Sequence, residues 1–251
     1  MVTSLQFGLL SFGLLFLLLA FITTLRLRTV LSTDRSKTVR RRHDTSASTH
    51  LMIVLGSGGH TAEMIAMLSR ALHEKELARR MDWEDFSHRT WVVSSGDGIS
   101  ADRARQFEDM TAKAGTASAG TYAISTVPRA REIHQSAMTA PISCLRCLVA
   151  CLTALMPSSD GSKEFPDVIL CNGPATATIL IFTSILLRFF DIKGCNSRGK
   201  MRTVYVESWA RVKKLSLSGK LLSRVVDRFL VQWPQLEAAT GGRGQYIGVL
   251  V

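Results

Sequence analysis

The segment Gly56-Ser57-Gly58-Gly59-His60-Thr61 has the clearest chemical content in this chain. Glycines let a backbone approach an anion closely. The start of a helix adds free N–H groups at the positive end of its dipole, so a phosphate or pyrophosphate is the natural guest. The Gly-Lys-Ser/Thr of a P-loop is absent. Gly56-x-Gly58 begins a dinucleotide fingerprint, but Thr61 stands where its third glycine belongs, and no acidic residue closes the second strand. This argues against a nicotinamide-dependent oxidoreductase. Taken alone, the loop could also be a tight turn with no ligand. His60 sets an imidazole beside the anion position. There it could accept a proton from a hydroxyl, or it could only cap the helix or orient a substrate. Gly96 in Ser95-Gly96-Asp97-Gly98, Asn172-Gly173-Pro174 and Glu207-Ser208 follow three further apolar runs.

Residues of this kind need strand ends to hold them. The runs 51–55, 90–95, 121–126, 167–172, 202–208 and 228–233 read as strands, apolar runs rather than alternating patterns. Helical spacing is predicted over 62–80, 101–113, 133–156 (interrupted at Pro141) and 175–190. Strands buried on both faces and alternating with helices imply one doubly wound, Rossmann-like parallel sheet over 51–251. In such a sheet the glycine turns and Glu207 share the carboxyl edge, where ligands bind.

Residues 5–25 carry no ionisable side chain, and at helical rise they reach about 31 Å, enough to cross a bilayer. No basic residue precedes the run and no small-x-small site follows it, so a retained transmembrane anchor (1–25) is expected instead of a cleaved signal. Seven Lys/Arg and two Asp/Glu lie in residues 1–50 of a chain whose net charge is +11. All seven basic residues follow the run, which places the remainder on the cytosolic side. Residues 26–50 then form a basic tether, with Arg40-Arg41-Arg42 drawn to anionic lipid. The run 179–187 is too short to span, and Arg188-Phe189-Phe190 at its end looks like an interfacial edge. Cys144, Cys147 and Cys151 fall on one helical stripe and read as core; no second ligand pair is present, so no metal is expected. Nothing in the pattern asks for nucleic acid.

GSGGHTAEM (56–64), REIHQS (131–136), DVILCNGPAT (167–176), YVESWARVKKLSLSGKLL (205–222), DRFLVQWPQL (227–236) and YIGVLV (246–251) occur in one order. The set resembles the asparagine-linked-glycosylation protein fourteen family, the membrane-anchor subunits of a two-chain UDP-N-acetylglucosamine transferase of the dolichol pathway. The resemblance implies the acceptor half of a GT-B glycosyltransferase, inactive alone, in the endoplasmic reticulum membrane and the nuclear envelope continuous with it. It implies transfer to N-acetylglucosaminyl-pyrophosphoryl-dolichol with inversion. A soluble partner subunit would bind the sugar nucleotide, leaving no cofactor in this chain. His60 is then the first candidate for the base and Glu207 the second. Gly56, Ser57, Gly58, Gly59, Thr61, Gly96, Asn172 and Gly173 would bind the lipid pyrophosphate. Tyr246, Ile247, Gly248, Val249, Leu250 and Val251 would dock the partner. The rival expectation is a pure membrane scaffold with no acceptor-binding or catalytic groups. The family's Asn-Gly-Pro-Gly-Thr has Ala175 at its second glycine here, a cost of roughly 1 kcal/mol if that position needs a positive φ.

Overall fold

The computed structural model describes residues 2–32, 49–74, 81, 83–113, 120–132, 135–136, 138–158, 163–173 and 175–251. Arg40-Arg41-Arg42, most of the expected tether, the 75–80 end of the first cytosolic helix, Ile133 and Pro174 lie outside them.

After α1 (Val2–Leu31), the strands are β1 (His50–Val54), β2 (His88–Ser94), β3 (Thr121–Val127), β4 (Val168–Asn172), β5 (Arg202–Val206), β6 (Arg228–Val231) and β7 (Gly244–Tyr246). They form one sheet in the order β3-β2-β1-β4-β5-β6-β7, and every pairing is parallel. The crossovers are α2 (Gly59–His73), α3 (Gly98–Lys113), α4 (Ala140–Leu155), α5 (Thr176–Phe189), α6 (Leu217–Leu222) and α7 (Gln235–Ala239). β1 lies mid-sheet and every residue in it is buried. Met52 and Val54 enter one core with α4, α5 and α6; Leu51 and Ile53 enter the other with α2 and α3. This two-faced burial is why the strand reads as unbroken apolar sequence.

Several boundaries move. The helix expected over 133–156 is α4, and Pro141 sits in its first turn and does not interrupt it. Proline suits that place because an N–H there has no helical partner. β7, α6 and α7 were not expected. They are too short, or too rich in glycine and polar residues, to carry a clear period.

The expected tether also starts later than Leu25, since α1 continues to Leu31. Its last turn is fastened to the domain. Val30 is fully buried in the first core. The Arg26 guanidinium donates to the Phe189 carbonyl at 2.7 Å and the Arg188 carbonyl at 3.0 Å. Arg188 is no interfacial residue: it has no exposed surface, pairs with Asp227 at 3.2 Å and donates to the Val30 carbonyl.

His50 opens β1 and gives the fold a pH dependence. Burial holds its pKa down at about 4, against an ordinary 6.5. Its Nδ1–H donates to the Glu164 carbonyl at 3.0 Å, and its Nε2 accepts from the Thr90 hydroxyl at 2.8 Å, which requires a neutral ring. As pH falls the unfolded chain therefore binds this proton first. The contribution is complete above about pH 6.5 and is lost progressively towards about pH 4, by about 3 kcal/mol. Urea midpoints measured across that window should fall more steeply for the wild type than for His50→Gln.

Candidate active site at the switch point of the sheet

Strand order reverses between β1 and β4, and the crevice outside their carboxyl ends is where open α/β sheets take ligands. The turns after β1 and β4 meet there with almost no space between them. A Cβ built on Gly173 would lie 3.1 Å from His60 Cγ and 3.3 Å from Gly56 Cα; one on Gly56 would lie 2.6 Å from His60 Cβ. Only glycine fits either side of this seam, and Gly173 also has φ +82. Gly58 (φ +62) turns the chain into α2, which begins at Gly59. Ser57, Gly58 and Gly59 are exposed and His60 is half-buried. The loop therefore presents backbone N–H groups and an imidazole at an open mouth.

One carboxylate organises the crevice. Glu63 Oε2 lies 3.3 Å from His60 Nδ1 and 3.4 Å from Asn172 Nδ2, while Oε1 accepts from the Ser208 hydroxyl and the Trp209 N–H, each at 2.9 Å. Burial pushes the Glu63 carboxyl up, but the hydrogen bonds from His60, Ser208 and Trp209 outweigh it and hold the pKa below the ordinary value. Glu63 is thus ionised and fixes the imidazole through Nδ1, leaving Nε2 as the nitrogen that can meet a ligand. Asn172 is nearly fully buried, and its Nδ2 also donates to the His60 carbonyl at 2.8 Å. Both Nδ2 contacts are acceptors, so the amide orientation is determined. That leaves Oδ1 buried with no partner among the described residues. A buried acceptor without a donor is costly, and a ligand hydroxyl or amide would satisfy it.

The other expected site residues divide. Thr61 is buried; its hydroxyl contacts the Gly56 carbonyl and lies 2.6 Å from Ser100 Oγ, so it braces the loop and does not face the mouth. Gly96 has φ +76 in the turn between β2 and α3. Glu207 is 1% exposed. Its carboxylate accepts from the Ser208 N–H at 3.2 Å and from the Ser216 N–H and hydroxyl at 3.2 and 3.1 Å. Burial raises its pKa, and these hydrogen bonds only partly counter that. The geometry gives Glu207 the task of fixing the loop into α6. Ala175 has φ +35 at the start of α5, the strained region that favours glycine.

The C-terminal residues begin as a strand: Tyr246 pairs with Val231 at the sheet edge. Beyond it Leu250 packs on the second core, its N–H donates to Gln232 Oε1 at 3.1 Å, and Arg70 of α2 donates to the Val249 carbonyl at 2.8 Å. Tyr246, Ile247 and Val251 stay exposed.

Sequence reasoning missed Glu63, although its place three residues after His60 on a helix was a usable signal. It also missed Trp209. That side chain is 46% exposed beside Glu63, and its ring lies 6.0 Å from Trp233, whose Nε1–H donates to the Trp209 carbonyl at 2.7 Å.

The chain is thus a Rossmann-like α/β domain with its crevice at the switch point of the sheet. The chain belongs to the family described as "Oligosaccharide biosynthesis protein Alg14 like", whose model matches residues 51–250. It is 40% identical over 219 residues to the UDP-N-acetylglucosamine transferase subunit alg14 of Aspergillus fumigatus, covering 68% of this chain and 96% of that protein. It is 39% identical over 201 residues to the subunit alg14 of Schizosaccharomyces pombe (80% and 83% covered). The human subunit ALG14 is 32% identical over 191 residues (76% and 78% covered).

Proposed function

We propose that this chain is the membrane-anchoring, acceptor-binding subunit of a two-chain UDP-N-acetylglucosamine transferase of the dolichol pathway, working at the cytosolic face of the endoplasmic reticulum. Family membership and the names of the relatives support the transferase-subunit part. The segment Phe7–Leu31, long and apolar enough to cross a membrane, supports the anchor. The observation that carries acceptor binding is the buried Asn172 Oδ1, without a partner among the described residues, next to a Glu63-held imidazole and a glycine cradle.

On this reading the pyrophosphate of N-acetylglucosaminyl-pyrophosphoryl-dolichol rests on Gly58, Gly59 and the first N–H groups of α2. Asn172 Oδ1 accepts from the acceptor sugar. His60 Nε2 removes the proton of the 4-hydroxyl as that oxygen attacks the anomeric carbon of the donor. The bond from that carbon to UDP breaks, UDP leaves with the electron pair, and the configuration inverts. Glu63 stabilises the imidazolium that forms. The donor, UDP-N-acetylglucosamine, is held by the soluble partner subunit, docked at residues 246–251.

The test is Asn172→Ala in the assembled complex. Loss of the hydrogen bond to the acceptor should raise the acceptor KM about tenfold, with the UDP-N-acetylglucosamine KM unchanged. An unchanged acceptor KM would leave the pure scaffold as the reading to keep.

A further inference from the structure

The helices α4 and α5 pack side by side on one face of the sheet, and their outer sides are apolar and bare. Ile142, Leu145 and Val149 of α4 are 58, 62 and 55% exposed; Phe182, Leu186 and Phe190 along α5 are 40, 41 and 64% exposed. Each set recurs every three or four residues, so each is one stripe of its helix. The buried sides of the same helices fill the first core, through Cys147 and Cys151 on α4 and Leu180 and Ile181 on α5. These helices are therefore apolar on two sides, although only one side faces the protein. Six large apolar side chains on adjoining helices exceed what a water-facing surface normally leaves uncovered.

What covers them follows from α1. Its last turn packs on the same core as α5, and Arg26 binds the carbonyls of Arg188 and Phe189 at the C-terminal end of α5. The point where the apolar α1 leaves the domain is thus fixed at the end of the α5 stripe. Arg28 in the last turn of α1, Arg146 next to Leu145 on α4 and Lys193 just after α5 are exposed cations adjoining these helices in the chain. Arg146 also lines, with Arg129, Glu132 and Ile142, a cavity of about 250 Å³.

We propose that the α4–α5 face lies in the interfacial layer of the bilayer that α1 crosses, with its apolar stripes among the acyl chains and its basic edge at anionic headgroups. The protein would then hold its membrane at two places, one spanning and one lying flat. This rests on the reading of α1 as a transmembrane span.

The experiment uses the full chain with Cys144→Ala, the other four cysteines being buried. Single spin labels are placed through Leu145→Cys, Leu186→Cys, Leu18→Cys in α1, and Met110→Cys on α3, and the chain is reconstituted in phosphatidylcholine–phosphatidylserine vesicles. Collision with oxygen reports lipid, and collision with a water-soluble nickel chelate reports water. The labels at 145 and 186 should show an oxygen-to-nickel ratio several-fold above that at 110, approaching that at 18. If 145 and 186 match 110 while 18 reports lipid, the face is in water and the proposal fails with the span intact. If 18 is also in water, the span fails and the proposal goes with it. Labels at 145 and 186 shielded from both reagents would mean a protein cover, a second copy or the partner subunit, and would overturn the proposal too.

Discussion

Replacing His60 by alanine is expected to lower kcat of the assembled complex by about 10²- to 10⁴-fold, the usual contribution of a positioned proton acceptor. The acceptor KM should change far less, because the glycine cradle and Asn172 remain. The geometry makes the substitution informative. Glu63 loses one contact but keeps Ser208, Trp209 and Asn172, so the three loops stay joined. No buried cavity opens, since the His60 side chain is 30% exposed. Single-turnover rates with saturating acceptor separate the chemical step from binding. If the rate stays within a few-fold of wild type, His60 orients or caps and another group takes the proton. Glu207 is a poor substitute, enclosed as it is by Ser208 and Ser216.

The largest expected effect on stability comes from Asp227→Ala. Its carboxylate pairs with the fully buried Arg188 and accepts from the Thr203 N–H and hydroxyl at 2.8 and 2.9 Å. Removing it strands a buried guanidinium and two donors. Breaking a buried pair from one side costs about 3–5 kcal/mol. For a domain of this size that lowers the melting temperature by roughly 10 °C. Because Arg188 also holds the Val30 carbonyl, the end of α1 should loosen in the same step. Limited proteolysis near Leu31 would then speed up together with the drop in melting temperature. Replacing both partners, with Arg188→Met and Asp227→Leu, should restore part of the loss, since no charge is left unpaired. A single variant that melts within about a degree of wild type would show that the pair adds little.

The parallel sheet was legible because burial on both faces turns β1, β2 and β4 into plain apolar runs, and the glycine turns mark where they end. At position 175 the sequence raised only a condition, a cost if the backbone there has a positive φ, and φ is +35. The polar hub was not legible. Glu63, Ser208 and Trp209 are far apart in the chain and meet only because α2 begins at β1 while Ser208 follows β5. The fate of Glu207 was hidden for the same reason, since a carboxylate at a strand end looks alike whether it faces the crevice or the start of α6. The end of α1 was misplaced because its basic residues were counted as charges. Arg26 is a donor to two carbonyls of α5, a role that composition does not reveal.

If the chain anchors and binds its acceptor as proposed, the fastened end of α1 also bears on how the complex finds a substrate that never leaves a membrane. A head on a slack leash would tumble, and its mouth would point at lipid only some of the time. With α1 in the bilayer and its final turn bolted to α5, that tumbling is suppressed. On that reading the search for the acceptor would reduce to lateral drift of two bodies in one plane.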